Sequence, residues 1–173
     1  ILDDKFKPPD TSRFAVLRKM VFFTEFDDID LWEVLRLSSW RKAEARTLLY
    51  REGESDQRFG MVLEGEVEVS IDGRQVGRLG PGEVFGELAW LDDPEHRHLA
   101  TVVSTEPTTY IEVSPAALAL ATEEVLELFR TRLATVVTKR LAAAARELSL
   151  GKPAAIRADH AATGGLDLQL VDN

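Results

Sequence analysis

The feature that most constrains the fold is a series of short apolar runs, separated by Gly, Asp and Pro, between about residues 43 and 113. Within this series Val67, Val69 and Ile71 alternate with polar residues, which is the pattern of a half-buried strand. Asp72-Gly73 then supplies a hairpin turn, because Gly tolerates positive φ at little cost. Several short strands at this spacing predict a mainly β fold, an antiparallel, jelly-roll-like β-roll.

Two helices are predicted before the strands. Phe14, Leu17 and Val21 follow helical spacing after Ser12. Asp27-Asp28 can cap the second helix, because short acidic side chains accept hydrogen bonds from the free N–H groups of a first turn. The expected apolar side of this helix is formed by Ile29, Trp32, Leu35 and Leu37.

One long helix is predicted after the strands, from about Pro115 to Ser149. Ser114 is its expected N-cap, Pro115 suits a first turn, and Thr122 is a second cap candidate. Apolar residues recur along it at three- and four-residue spacing, namely Leu126, Phe129, Leu133, Val137 and Leu141. Because an exposed apolar stripe favours association, we expect a parallel two-fold homodimer through residues 125–148.

The two ends of the chain differ from its regular part. We assign residues 1–12, which are polar and contain a Pro-Pro pair, to a linker, and residues 13–149 to one domain. Residues 150–173 are small and polar, and we expect a flexible tail. The chain starts at Ile1 without a signal-peptide pattern, so we interpret it as a piece of a longer protein.

Composition argues against several classes of function. The formal net charge of −9 at pH 7 disfavours a general nucleic-acid surface. The absence of Cys removes disulfides and thiolate catalysis and fits a cytoplasmic location. No apolar run approaches the roughly 18 residues of a membrane helix.

Sequence motifs of catalysis and metal binding are also missing. The chain has no Ser-His-Asp order, no HExxH pattern and no Walker-type phosphate loop, so we expect no enzymatic activity. His96 and His98 lie two residues apart beside acidic residues, but no credible third ligand accompanies them. We therefore interpret them as part of a solvated loop and expect no metal site.

The order of elements and four motifs resemble the cyclic nucleotide-binding domain family, which includes the sensor half of the Crp/Fnr regulators. The motifs are REGE (51–54), MVLEGEVEV (61–69), LGPGEVFGELAWL (79–91) and LATVVS (99–104). The resemblance covers roughly residues 14–149. It implies a β-roll with N-terminal helices and a C-terminal helix, and cAMP, cGMP or another anionic nucleotide as the ligand.

The resemblance implies a phosphate-binding turn after the FGE motif, with ligand contacts at Phe85, Gly86, Glu87, Leu88 and Ala89. By position, Gly86 would allow close backbone approach and Glu87 would accept a hydrogen bond from the ribose 2′-hydroxyl. Leu88 and Ala89 would offer backbone N–H groups to the phosphate. The alternative is that Gly86 serves a tight turn and Glu87 is a helix-start carboxylate.

The family anchors the phosphate with an Arg three residues before the Thr of an Ala-Thr-Val strand, and this anchor position holds His98. Arg97 lies one residue earlier. Because adjacent side chains of a strand point to opposite faces, we expect His98 to face the ligand, unless a bulge turns Arg97 inward. The remaining ligand positions implied on this segment are Leu99, Ala100 and Thr101.

A histidine is a weaker phosphate anchor than an arginine. Its ordinary pKa is about 6.5, so it is mostly neutral at pH 7, and it lacks the paired donors of a guanidinium. We therefore expect weak or absent binding of cAMP and cGMP. The resemblance also implies that the C-terminal helix covers the base, with Thr131 and Thr135 as lid positions. The alternative is a Thr stripe that faces solvent or bonds back to the preceding turn.

Three functions remain open from the sequence. The first is a regulatory, non-catalytic sensor module, attached to an N-terminal domain in a longer protein. The second is a ligand-free dimerisation or docking module. The third is the sensor half of a Crp/Fnr-type transcription regulator whose DNA-binding domain is absent from this chain.

Overall fold

The computed structural model describes residues 10–91 and 97–150; the predicted tail and residues 1–9 of the predicted linker lie outside the described residues. The helices are α1 (Asp10–Arg18), a 3-10 helix (Val21–Phe23), α2 (Asp28–Leu37), α3 (Leu88–Leu91), α4 (Pro115–Leu118) and α5 (Glu123–Leu150). The strands are β1 (Ser38–Ala43), β2 (Leu48–Tyr50), β3 (Phe59–Glu64), β4 (Val67–Ile71), β5 (Arg74–Leu79), β6 (Val84–Phe85), β7 (Thr101–Ser104) and β8 (Thr108–Val113).

These strands form two four-stranded antiparallel sheets, as the sequence predicts. The first sheet has the order β1-β8-β3-β6 and the second has the order β2-β7-β4-β5. Asp72 and Gly73 join β4 to β5 with φ values of 50° and 72°, the conformation that a two-residue hairpin turn requires. The roll begins at Ser38, earlier than the predicted residue 43, because the chain becomes extended directly after α2 and pairs with β8.

The N-terminal helices begin with acidic residues. α1 starts at Asp10, so residues 10–12 belong to a helix and the predicted linker is wrong at these residues. The helix can start there because the Asp10 carboxylate suits the positive end of the helix dipole. Asp27 caps α2, as predicted. Its side chain accepts a hydrogen bond from Asp30 N at 2.9 Å, and the Asp30 carboxylate accepts one from Asp27 N at 2.9 Å.

The predicted apolar side of α2 is wrong at Ile29 and Trp32, whereas the predicted Leu35 and Leu37 are half-buried and pack against the core. Ile29 is 76% exposed and Trp32 is 40% exposed, whereas Leu31 and Val34 are fully buried. The buried face also contains two acidic side chains, each of which accepts hydrogen bonds. Carboxylates are seldom buried unless they are paired. The spacing of apolar residues alone therefore does not predict which side of α2 is buried.

The predicted single C-terminal helix is interrupted between α4 and α5. Ser114 caps α4 as expected, accepting a hydrogen bond from Ala117 N at 3.2 Å. The Glu33 carboxylate then accepts hydrogen bonds from Thr122 N at 2.6 Å and Thr122 Oγ1 at 3.1 Å. The Thr122 hydroxyl in turn accepts one from Val125 N at 3.4 Å. A new helix therefore starts after Thr122, the second cap candidate in the sequence.

The chain divides into two compact units, Ile1–Val136 and Val137–Asn173. In the first unit, Phe129 and Leu133 of α5 are buried in an apolar core with the helices and the outer face of the first sheet. The predicted exposed stripe is therefore wrong at these two residues, because the core of the same chain covers them. In the second unit, Leu141 is 69% exposed.

A second apolar cluster lies between the two sheets and consists of Ala43, Tyr50, Val62, Val67, Phe85, Val102 and Tyr110. Side chains of β8 alternate between the two clusters. Ile111 and Val113 pack in the first cluster, whereas Tyr110 belongs to the second. None of the helices within residues 10–91 and 97–150 is long and apolar enough to cross a membrane.

Candidate functional site

The turn that sequence analysis identified follows β6 and leads directly into α3. Gly86 has a φ of +78°, in the left-handed region that favours glycine. A Cβ atom at this position would lie 2.6 Å from Tyr50 Cε2 and 2.9 Å from the carbonyl oxygen of Arg58. Both the backbone conformation and the close packing therefore require glycine here.

The other predicted turn residues are mostly buried. Phe85, Glu87 and Ala89 are at most 4% exposed, and Leu88 is half-buried. Leu88 and Ala89 form the start of α3, so the backbone there has the helical conformation expected after the turn. The Phe85 ring lies over Gly60, where a Cβ atom would be 2.4 Å from the ring.

His98 lies inside the roll and Arg97 lies on its surface. His98 is 3% exposed, whereas Arg97 is exposed. The backbone N–H of His98 donates to Glu54 O at 3.0 Å, and its carbonyl accepts from Gly53 N at 2.8 Å. Arg97 Nη1 donates to the carbonyl of Gly53 at 3.0 Å. Pairing with the loop after β2 therefore fixes which of the two side chains points inward.

The strand after His98 is too short to include His98. β7 begins at Thr101, whose Oγ1 accepts a hydrogen bond from Glu52 N at 3.1 Å. Leu99 and Ala100 form a bend between this strand and His98. Strand alternation therefore does not extend back from Thr101, and the pairing with residues 53–55 orients His98 instead.

The His98 imidazole has no hydrogen-bond partner among the described residues. Both ring nitrogens are buried and unpaired. The ring stacks on Tyr50, with centroids 4.4 Å apart and planes at 13°. Burial lowers the pKa of His98 below its ordinary value of 6.5, and the nearby Asp56 carboxylate offsets this lowering only in part. The imidazole is therefore neutral at pH 7.

A charged network lies beside this imidazole on the inner face of the first sheet. Tyr50 Oη donates to Glu112 Oε2 at 3.2 Å. Arg58 Nη1 donates to Glu112 Oε1 at 3.3 Å, and the same guanidinium pairs with Asp56. Arg41 Nε lies 3.6 Å from Glu112 Oε1. Both arginines are thus already paired with carboxylates.

Tyr50, Arg58 and Glu112 are site residues that the sequence motifs do not predict. Glu112 carried a usable signal, because it lies beside Tyr110, Ile111 and Val113 in a short strand, and a carboxylate is seldom buried unless it is paired. Tyr50 has no such signal, since an aromatic residue in a short apolar strand is ordinary.

The two lid positions on α5 have the local geometry of the alternative, in which the threonines face solvent or bond back to the preceding turn. Thr135 Oγ1 donates to the carbonyl of Thr131 at 2.9 Å, one turn earlier. Thr131 is exposed and Thr135 is half-buried. His96, the other member of the histidine pair, lies outside the described residues, within which no group of three or more His, Asp or Glu could hold a metal ion.

Replacing Gly86 by alanine is expected to lower the free energy of unfolding by about 2–4 kcal/mol, from left-handed backbone strain and overpacking against Tyr50. Gly73→Ala is the matched control, because Gly73 has a φ of +72° and no atom of residues 10–91 and 97–150 lies within 4 Å of an added Cβ. Only backbone strain acts there, about 1–2 kcal/mol. Urea unfolding of both variants checks this difference, and equal losses would contradict the packing argument.

The stability of the chain is expected to depend on pH through His98. Because burial lowers the folded-state pKa of His98, the unfolded chain binds a proton at higher pH than the folded chain. The free energy of unfolding should therefore fall as pH decreases from about 6.5 towards the folded-state pKa, by at most about 1.4 kcal/mol per pH unit. Urea unfolding at several pH values should show a smaller fall for His98→Gln, and identical pH profiles would contradict this prediction.

Comparison with known proteins identifies the roll. Residues 40–124 match the family model of the cyclic nucleotide-binding domain. The Pycsar effector protein XpPycTIR of Xanthomonas perforans is 32% identical over 101 residues, which make up 58% of this chain and 33% of that protein. The chain thus spans about a third of the length of this relative.

Solved structures share the same fold. A cyclic nucleotide-binding domain from Methylobacillus flagellatus KT superposes with a TM-score of 0.70 at 19% identity, covering 82% of this chain and 83% of that one. The catabolite activator protein of Thermus thermophilus gives a TM-score of 0.62 at 28% identity, covering 75% of this chain and 62% of that one. Residues 40–124 of this chain therefore match the cyclic nucleotide-binding domain family, and the described residues form a Crp/Fnr-like β-roll.

Proposed function

We propose that this chain is a regulatory, non-catalytic sensor module of a larger protein, whose cyclic nucleotide-binding domain has lost its phosphate anchor. The observation that supports this is His98, which holds the anchor position by its spacing from Thr101. Its imidazole is buried without a hydrogen-bond partner among the described residues, and burial lowers its pKa. Arg97 does not replace the anchor, because it is exposed and donates to the carbonyl of Gly53.

The chemistry of the ligand makes this loss important. A cyclic phosphodiester carries one negative charge, and the strongest contacts to such a group are paired, charge-assisted hydrogen bonds. A neutral imidazole offers one donor and no charge. Arg41 and Arg58 also face this region, but Glu112 pairs with both of them. We therefore expect weak or absent binding of cAMP and cGMP near pH 7.

The larger protein is part of the proposal. The relative from Xanthomonas perforans is about three times as long as the matched region, which leaves room for the further domain that a sensor would regulate. We place that domain before this chain and the module in the cytoplasm. We further propose a homodimer through the second half of α5, where Leu141 and Leu148 are exposed. Sedimentation at micromolar concentration that shows a single 19.3 kDa species would contradict the dimer.

A ligand-free docking module is the second candidate. The observation that favours it is the Tyr50 ring, which packs against His98 and Gly86 in the space beside the candidate turn. A module of this kind would keep the roll for its shape and would bind no nucleotide.

A thermal-shift screen tests the proposed function. The panel contains cAMP, cGMP, cyclic dinucleotides and simple anions, each near pH 7 and again near pH 5.5. We expect neither cAMP nor cGMP to raise the melting temperature near pH 7, since a ligand well below its Kd stabilises negligibly. Stabilisation by cAMP that appears only at the lower pH would identify charged His98 as the remaining anchor. Strong stabilisation near pH 7 would contradict the proposal.

A further inference from the structure

Tyr50 connects the two sheets next to the candidate ligand turn. It lies on β2 of the second sheet, and its hydroxyl donates to Glu112 Oε2 on β8 of the first sheet at 3.2 Å. The side chain is 1% exposed. The carboxylate that receives this hydrogen bond is itself held by Arg58 and Arg41, so the tyrosine is attached to a fixed point on the opposite sheet.

The ring of Tyr50 covers two residues of the candidate site. It lies parallel to the His98 imidazole with a centroid separation of 4.4 Å. It is also so close to Gly86 that a Cβ atom there would be 2.6 Å from Tyr50 Cε2. Both nitrogens of His98 are buried and have no hydrogen-bond partner among the described residues, so a ligand reaches them only after a neighbouring side chain has moved, and Tyr50 packs against one face of the imidazole.

We propose that Tyr50 closes this site, with its ring held against His98 and Gly86 and its hydrogen bond to Glu112 acting as a latch. The inference rests on the proposed function, because it concerns access to the same site. Opening requires the Tyr50 side chain to rotate away from the imidazole. This rotation breaks the bond to Glu112 and separates the ring from the Arg58 guanidinium, which lies 5.6 Å above it. The closed arrangement therefore dominates without ligand.

Four versions of the full chain separate the anchor from the closure: wild type, His98→Arg, Tyr50→Leu and the double variant. Calorimetric titration with cAMP near pH 7 provides the affinities. We expect wild type and Tyr50→Leu to bind weakly or not at all, since neither has an anchor. The double variant should bind cAMP at least about tenfold more tightly than His98→Arg, because the new arginine can reach the ligand only where the Tyr50 ring no longer closes the site. The two substitutions are therefore not additive.

The outcomes distinguish this inference from the proposed function. If His98→Arg binds cAMP as tightly as the double variant, Tyr50 does not close the site and the lost-anchor proposal stands. If both variants are folded and neither binds cAMP, the site is not a nucleotide site that lost its anchor, and both proposals are wrong.

A second measurement needs no ligand and keeps the Tyr50 ring. Tyr50→Phe removes only the hydroxyl, so the latch is lost while the core stays filled. The rate at which diethyl pyrocarbonate modifies His98, read by peptide mass spectrometry against N-acetylhistidine, reports access to the imidazole. We expect His98 to react several-fold faster in Tyr50→Phe than in wild type, and equal rates would overturn the latch.

Discussion

Phe129→Ala is expected to lower the free energy of unfolding by about 3–5 kcal/mol, because a large buried side chain leaves a cavity that its neighbours fill only in part. Phe129 is 2% exposed. Its ring lies between 5.5 and 6.4 Å from the rings of Phe22, Phe23, Phe26 and Phe59, so the substitution removes contacts with the N-terminal helices and with β3 at once.

Ile29→Ala is the control for an exposed apolar side chain outside the proposed dimer interface. Ile29 is 76% exposed, so its loss should change the free energy of unfolding by no more than about 0.5 kcal/mol. Urea unfolding with comparison of midpoints and slopes measures both effects. A loss below about 1 kcal/mol for Phe129→Ala would contradict its assignment to the core.

His98→Arg is expected to increase the affinity for cAMP by about tenfold or more near pH 7, because it restores a permanent charge with paired donors at the anchor position. A single hydrogen bond to a charged group is worth about 1.5–3 kcal/mol, which corresponds to roughly tenfold to a hundredfold. Calorimetric titration with cAMP measures the gain, and Tyr50 limits it when the site is closed.

Arg97→Ala is the control for this substitution. Since Arg97 is exposed and bonded to the Gly53 carbonyl, its removal should leave the affinity of His98→Arg unchanged. Loss of the gain in an Arg97→Ala, His98→Arg chain would show that Arg97 takes part in binding. No gain in His98→Arg, with or without Tyr50→Leu, would favour the docking module.

Features that depend on neighbouring residues could be predicted from the sequence. The antiparallel roll follows from alternation along short runs, and the caps at Asp27 and Ser114 follow from local hydrogen bonds between side chain and backbone. The Asp72-Gly73 turn belongs to the same class, because its two positive φ values are a local property of the residues.

Features that depend on distant partners could not be predicted. The break before α5 depends on Glu33, which is 89 residues away from Thr122. Glu33 is itself buried, so the buried face of α2 contains a carboxylate that apolar spacing does not predict. In the candidate site, the Tyr50–Glu112 hydrogen bond joins residues 62 apart on different sheets. Spacing along the chain contains no information about such pairs.

The position of His98 along the chain could be predicted from the sequence, but the direction of its side chain depends on distant residues. The spacing from Thr101 assigns His98 to the anchor position. Strand alternation does not determine where its side chain points, because β7 begins at Thr101 and does not include His98. Hydrogen bonds with Gly53 and Glu54, more than forty residues earlier in the chain, orient the side chain instead.

Calorimetric titration of the wild-type chain with cAMP near pH 7 tests the central claim, that the roll has lost its phosphate anchor, most directly. We expect no measurable binding, or a Kd weaker than about 1 mM, because His98 is neutral and Glu112 pairs with both Arg41 and Arg58. A Kd of about 1 μM or tighter for the unmodified chain would contradict it.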